Sequence, residues 1–460
     1  MSLTTSSQFA AVIETGTDWR DISKKVLEKL ESARTEGDSF NIGFLYVSDY
    51  LSDNLQSILS LFQSVLGIEH WTGSVAMGLC GNGTEYIDVP AISVMIGHIP
   101  QEHFCLFPSI SASSGPMAAA ATALSPLPAS EIEFDTTGED DDAAKPSSAL
   151  ESWLGRHEPM MVLVHGDPMM PRNPFESLSH IDDVTGGYIV GGLASSRAEH
   201  NYIAGAVRDN DIGGIAFSQD IPVATALMQG CKPIGGIHTI TKCHEHSVLE
   251  INNKPALDVL KDDIKAMAEI KKREAEENKA LSSKGGDGGE EKISLPPEET
   301  IVFRGEVHAA IPVSGSDQND FMVRNIIQLD EDTKAIDIAQ IPQVGEQILF
   351  VHRDDETVRQ DLSAGLCRLH ARIQKDYGEF SPKAALYISC VARAFNDFKH
   401  KPDHDQASED STNDNHPDYG GEMALVREII GDVPLAGFYA SGEIHAGRLY
   451  GYTGILVLFL

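Results

Sequence analysis

From Asp21 to Arg34 the apolar residues Ile22, Val26, Leu27 and Leu30 recur at three- and four-residue spacing, with charged residues elsewhere, which predicts an amphipathic helix. Asn41 to Val47 is a short apolar run closed by Ser48 and Asp49, the pattern of a buried strand. Helical period returns from Asn54 to Leu66, and Ala91 to Ile96 is again strand-like. This alternation favours helices laid over the faces of a sheet.

Further along, Met161 to His165, Tyr188 to Val190, Ile212 to Phe217 and Ile221 to Met228 are expected to be strands. So are Ile301 to Pro312, Phe321 to Gln328, Gln347 to His352, Ala384 to Cys390 and Gly454 to Leu460. Val358 to Tyr377 and Glu422 to Ile430 carry helical period. Between them, Ser111 to Ser130 is rich in Ala, Ser and Pro, and Lys271 to Pro297 is polar with a Gly-Gly-Asp-Gly-Gly run, so both are expected to be loops.

One pattern repeats. Gly73 to Gly78 and Gly437 to Gly442 both read GxxAxG, and Gly191 to Ser196 differs only at its last position. Gly191 and Gly437 directly follow an apolar residue and Gly73 comes two after Trp71, as a strand entering a tight turn does. The three together point to a pseudo-repeated unit whose turns face a shared cleft; the alternative is that small residues simply pack sheet against helix.

A length of 460 residues implies two to three domains, and 69 acidic against 35 basic residues give a formal charge of -34. A polyanion would be repelled, so nucleic acid is not an expected partner. Much of the acidity sits in Glu131 to Asp142, Glu274 to Glu299 and Asp403 to Glu422, which read as solvated insertions. No secretory leader and no run of membrane-span length is found, so a cytoplasmic protein without membrane insertion is expected. The six cysteines show no paired framework, which fits reduced thiols.

Several segments in order resemble the FIST family: Trp71 to Gly78, Ala91 to Ile96, Asp167-Pro168, Gly191 to Ser196 and Gly230 to Gly235 with Thr239 to Thr241. Lys254 to Ala256, Phe321 to Asn325, Ser389 to Arg393 and Ala436 to Glu443 continue the likeness. The chain departs from the family pattern at Ala392-Arg393-Ala394, at Val75 and Met77, and in its acidic insertions. The resemblance implies an α/β protein of two fused domains with mainly mixed sheets covered by helices. The expected division is a helical lead-in over 1–40, a FIST N-like domain over 41–247 with an insertion near 131–145, and a FIST C-like domain over 248–460 with insertions near 274–299 and 401–420.

It also implies a non-enzymatic sensor that binds an amino-acid-like molecule in a cleft between the halves and signals through a separate protein such as a kinase. For such a ligand the needed parts are a guanidinium fork, an acid and backbone amides at turns. Arg393, Arg324 and Glu443, with Gly442, are the candidates in the second half, and Ser74, Ser195 and Ser196 in the first. Internal salt bridges are the alternative reading of the arginines.

Other chemistries stay open. Some family members resemble haem-dependent nitric oxide sensors, and His98 and His165 follow apolar runs here. An adaptor without ligand is a further reading. A cysteine hydrolase would use Cys390 with His370 or His445. Cys243, His244 and His246, near His238 and Cys231, offer metal-ligand types, but their spacing matches no known zinc finger, so no tightly held zinc is expected.

Overall fold

The structure is a computed structural model that describes residues 3–5, 8–33, 40–110, 146–282, 306–313, 320–396 and 421–460. The expected insertions near 131–145 and 401–420, and most of the one near 274–299, lie outside them. The chain is mixed α/β and divides into two compact units, one of Met1–Leu227, Gly365–Leu449 and Gly454–Leu460, the other of Met228–Ala364 and Tyr450–Thr453.

The first unit is built from one pattern used three times. Module 1 holds β1 (Leu3–Thr5), β2 (Phe9–Thr15), α1 (Trp19–Ala33), β3 (Ile42–Ser48), α2 (Leu55–Leu66), β4 (His70–Ala76), the hairpin β5 (Gly78–Gly81) and β6 (Thr84–Ile87), and β7 (Ala91–Gly97). Module 2 follows with β8 (Phe104–Phe107), α3 (Pro146–Leu154), β9 (Pro159–Gly166), α4 (Pro174–Thr185), β10 (Tyr188–Leu193), the hairpin β11 (Tyr202–Ala204) and β12 (Ala206–Arg208), and β13 (Ile212–Ser218). Module 3 opens with β14 (Val223–Met228).

The second unit is then inserted. It contains β15 (Lys232–Pro233), β16 (His238–His244), β17 (Ser247–Ile251), β18 (Lys254–Pro255), α5 (Ala256–Ser282), β19 (Val307–Pro312), β20 (Phe321–Arg324), β21 (Ile326–Leu329), β22 (Ile336–Ile338) and β23 (Gln347–His352). These strands form one nine-stranded sheet, β20-β19-β23-β16-β17-β22-β21 with β15 on β23 and β18 on β17. Leu257, Leu260 and Ile264 of α5 pack with Ile240, Ile251, Ile336 and Phe350 to make its core.

Module 3 resumes with α6 (Asp355–Tyr377), β24 (Ala384–Cys390), α7 (Val391–Asn396), α8 (Glu422–Ile430), β25 (Leu435–Ala440), the hairpin β26 (Gly442–His445) and β27 (Arg448–Tyr450), and β28 (Gly454–Phe459).

Within each module a βαβ step makes a parallel pair: β3 with β4, β9 with β10, β24 with β25. The last strand, β7, β13 or β28, returns antiparallel beside the first of the pair. The hairpins do not stay home. Module 2's β11 pairs with β4, module 3's β26 with β10, and module 1's β5 with β25, so each sheet is completed by another module in a closed cycle.

The register of the exchange repeats residue for residue. Gly73 lies opposite Leu45 on one side and Ile203 on the other, Gly191 opposite Val164 and Ile444, and Gly437 opposite Tyr387 and Cys80. A side chain at these glycines would begin 1.8 Å from the Leu45 carbonyl oxygen, 1.9 Å from that of Val164 and 2.0 Å from that of Tyr387. The first glycine of the repeated sequence motif is therefore required by close backbone approach. The inner faces of the three sheets share one core, with Phe44, Tyr46, Leu163, Ile388, Phe438 and Phe459 among its members. Outer faces are covered by helices: α1 and α2 through Ile22, Val26, Leu59 and Phe62, and α3 and α4 through Trp153, Leu178 and Ile181.

The structure departs from the sequence expectations in three places, the first being that the repeated motif read as a tight turn lies mostly in strand, with Gly73–Ala76 in β4, Gly191–Leu193 in β10 and Gly437–Ala440 in β25. The lead-in over 1–40 is not only helical, because Phe9–Thr15 is a strand that pairs along its whole length with β7. Its apolar run has no period-2 alternation, since residues on both faces are buried, as in a sheet covered on each side. The polar stretch from Lys271 stays helical through Ser282, because its Ala, Glu and Lys residues are strong helix formers that outweigh the lack of an apolar stripe.

Candidate functional site

The C-terminal ends of the parallel pairs in open α/β sheets are where ligands characteristically bind. In the first unit these ends carry the repeated turns, and the turns are tied to one another. Ser195, in the corner after β10, donates its hydroxyl to the Tyr439 carbonyl of module 3 at 2.5 Å and accepts from the Met77 amide of module 1 at 3.0 Å. Ser441 donates its hydroxyl to the Ala194 carbonyl at 2.7 Å and its amide to Leu193 at 3.1 Å. One serine thus bridges all three modules.

Beside this junction Arg197 reaches from module 2 to module 1. Its Nε and Nη2 form a fork on the buried Asp49, at 2.8 and 3.0 Å, while Nη1 meets the exposed Asp88 at 2.6 Å. Tyr50 lies under the guanidinium, 4.7 Å from its carbon, and gives its hydroxyl to Asp88 at 3.0 Å. The hydrogen bonds that Arg197 donates to Asp49 hold its proton more firmly than usual, and Arg197 holds the Asp88 carboxyl below the ordinary carboxylate range. Arg197 remains 46% exposed.

Deeper in the same unit, matching positions of modules 1 and 2 meet. Tyr46 Oη lies 3.3 Å from His165 Nε2, and Thr72 Oγ1 lies 3.1 Å from His165 Nδ1. Phe438 of module 3 stacks on Tyr46. Burial alone pushes His165 down to about 3, so the ring is neutral at physiological pH.

Of the residues expected at a ligand site, Ser195 and Ser196 form the module 2 corner, and the Ser196 hydroxyl accepts from the Ala198 amide at 3.0 Å. Gly442 and Glu443 start β26, opposite Leu193 and Gly192. Glu443 is fully buried there. Ser74 is buried in β4, its hydroxyl 3.1 Å from the Val75 carbonyl.

Arg393 is wholly buried in α7 and ion-paired with Glu422, whose carboxylate also accepts from Tyr387 at 2.6 Å and Ser389 at 2.9 Å. An incoming carboxylate would have to displace Glu422. Arg324 belongs to the second unit, where Nε donates to Gln340 at 2.8 Å and Nη1 to the Val323 carbonyl at 2.9 Å. Burial lowers its proton affinity.

Sequence reasoning missed Arg197, Asp49 and Asp88. The available signal was an arginine directly after Ser195-Ser196, but its acids lie far back in module 1 and only the fold brings them near.

The residues do not fit the other chemistries equally. Haem iron takes a histidine nitrogen with a free lone pair facing an apolar cavity. Both nitrogens of His165 face hydroxyls, and His98 lies exposed after β7, so neither suits an axial role. Cys390 is buried at the end of β24, His370 packs on Phe380 with centroids 4.1 Å apart, and His445 Nε2 lies 3.0 Å from the Tyr188 hydroxyl. The chain turns at Glu245, with φ of 51°, and Cys243 donates to the Pro342 carbonyl at 3.3 Å while His246 lies 3.2 Å from that of Gln340.

Residues 41–254 match the FIST N domain and residues 256–446 the FIST C domain. The chain belongs to the FIST family. FIST domains are sensory, signalling domains rather than catalytic ones.

An uncharacterized protein of Mycobacterium tuberculosis (strain CDC 1551 / Oshkosh) is 24% identical over 460 residues, covering 96% of this chain and 97% of that protein. Another, of Mycobacterium bovis, is 26% identical over 291 residues, covering 60% of this chain and 62% of that one. Among solved structures, T. maritima PurL complexed with FGAR aligns to 99% of this FIST protein and 74% of its own chain at 11% identity, with a TM-score of 0.21. Among the described residues of the FIST chain no helix is long and apolar enough to cross a membrane.

Proposed function

We propose that this FIST protein senses a small zwitterionic, amino-acid-like molecule at the corner end of the three-module unit and reports it to a separate signalling protein. The observation that carries this reading is the unequal hold on Arg197. Two of its nitrogens are fixed by the buried Asp49, whereas Nη1 is paired with the exposed Asp88. Exposed pairs contribute roughly 0–1 kcal/mol, so a zwitterion can part this one, its carboxylate on Arg197 and its ammonium on Asp88.

Ser196 and the backbone of the neighbouring corners lie beside that position, and Gly442 and Glu443 follow the module 3 corner. Because Arg197 belongs to module 2 and Asp88 to module 1, parting them loosens a link between modules. That change is the signal a partner would read.

The test is a thermal-shift screen of amino acids and small organic acids on the full chain, with calorimetry on the hits. Arg197→Ala is expected to weaken binding roughly ten- to a hundredfold, the equivalent of about 1.5–3 kcal/mol for a charged hydrogen bond. Arg197→Lys should recover only part, because an ammonium cannot reproduce the fork. An unchanged dissociation constant in both variants removes Arg197 from the site, and a screen without hits favours the adaptor reading.

A further inference from the structure

At the opposite end of module 2 three connections meet: the short turn before β8, the link from α3 to β9, and the exit from β13. They bring together His103, His157 and Asp220, with one ligand-type atom from each lying within 4.8 Å of the others. Among the described residues it is the one such group of three.

The spacing suits a metal. His103 Nδ1 and Asp220 Oδ2 are 3.3 Å apart. Two donors at about 2.0–2.1 Å from a tetrahedral ion stand roughly 3.3 Å from each other, so this pair needs little movement to share one.

The ligands are also held by their surroundings. Trp153 stacks on His157 with centroids 5.1 Å apart, and its indole nitrogen donates to the Glu102 carbonyl at 2.9 Å, next to His103. The two imidazoles meet edge to face at 5.9 Å. Ser218 lies 3.1 Å from His103 Nδ1 and 3.4 Å from Asp220 Oδ2, and its oxygen accepts the Asp220 amide at 3.3 Å, which fixes the turn carrying the carboxylate. Outer groups that orient ligands are the usual support of metal centres; Trp153 and the Ser218 bond to the Asp220 amide act in that way, whereas the Ser218 contacts to His103 Nδ1 and Asp220 Oδ2 fall on the ligating atoms and give way to the ion.

We propose that His103, His157 and Asp220 bind one divalent first-row transition ion of the zinc class, with solvent completing the coordination. Two imidazoles and a carboxylate are borderline to hard ligands, which favours such an ion over calcium or magnesium. The expectation of no tightly held zinc rested on Cys243 to His246; this group escapes it because its members are scattered along module 2. The site is independent of the corner where Arg197 lies.

The experiment is calorimetric titration of the untagged full chain with Zn²⁺, repeated with His103→Ala, His157→Ala, Asp220→Asn and a Cys243→Ser, His246→Ala control. One zinc per chain is expected. Each of the three single variants should weaken it by at least the 10- to 100-fold that loss of even an outer-shell partner costs, while the control binds as before. Asp220 is 66% exposed, so Asp220→Asn keeps the test valid if a histidine variant misfolds. No binding heat, an affinity untouched by Asp220→Asn, or loss confined to the Cys243, His246 control overturns the assignment.

Discussion

Tyr46 and His165 occupy matching positions in successive modules, and the Tyr46 hydroxyl faces His165 Nε2 at 3.3 Å where the sheets meet. Burial pushes His165 down to about 3 from its ordinary 6.5. The unfolded chain therefore binds a proton below pH 6.5 that the folded chain refuses until near pH 3, so stability is full above 6.5 and falls as pH drops through that window. The loss is about 1.4 kcal/mol per pH unit, or roughly 2 kcal/mol by pH 5. His352 and His445, each lowered to about 4, act in the same sense. Urea unfolding at pH 7 and pH 5 should show His165→Gln losing about 2 kcal/mol less between the two than the parent; equal losses would mean that His165 is not held neutral.

The glycines against the neighbouring carbonyls should be intolerant of any side chain. Gly73→Ala, Gly191→Ala and Gly437→Ala are each expected to cost about 3 kcal/mol or to prevent folding, because the obstacle is backbone. Gly67→Ala and Gly186→Ala, at helix ends with open space, should cost only about 1 kcal/mol for their left-handed backbone. Chemical denaturation of the set is the check, and similar costs across it would refute the close-approach argument.

Removing one partner of the buried Arg393–Glu422 pair leaves the other charge uncompensated, at about 3–5 kcal/mol. Arg393→Ala should therefore unfold at markedly lower denaturant, and Arg393→Met with Glu422→Leu should recover part of the difference. A double variant no better than the single one would show that Tyr387 and Ser389, not the pairing, set the cost.

Ser195→Ala strips the Tyr439 carbonyl and the Met77 amide of one partner together, for about 1–3 kcal/mol. Ser196→Ala, which loses one contact at an exposed turn, should change stability by less than about 0.5 kcal/mol. Thermal melts of the two side by side decide whether Ser195 is the tie between modules.

Thiol labelling of the native chain should begin at Cys367, which is exposed, and be slow at the buried Cys80, Cys231 and Cys390. Cys105, pushed up to about 11 by burial, should also lag at pH 8. Peptide mapping of the first labelled position is the measurement, and Cys390 reacting first would revive the nucleophile reading.

Of the parallel pairs, β3, β9, β10 and β24 were legible as apolar runs, whereas β4 and β25, interrupted by small and polar residues, showed only as the GxxAxG repeat, because both signals are local patterns. The hairpins were not legible: Gly78–Gly81 and Gly442–His445 are four residues each and carry no period of their own. Their partners lie in other modules, which no window of sequence connects. The same holds for the site. Ser195 and Ser196 stood out with the turn they form, whereas Asp49 and Asp88 acquire a meaning only when Arg197 arrives from module 2.

Exchange of hairpins in a closed ring bears on synthesis as much as on the finished fold. A nascent chain leaves the ribosome with the hairpin of Gly78–Gly81 and Thr84–Ile87 already translated, yet its seat beside Leu435–Ala440 follows only much later. The edge of Tyr188–Leu193 likewise waits for Gly442–His445. Until those strands emerge, the polypeptide presents an unseated hairpin and an open strand edge, the features that recruit chaperones and seed pairing between neighbouring chains. Such long-range closure makes refolding slow, and it makes a late stretch of the chain the one that locks an early one.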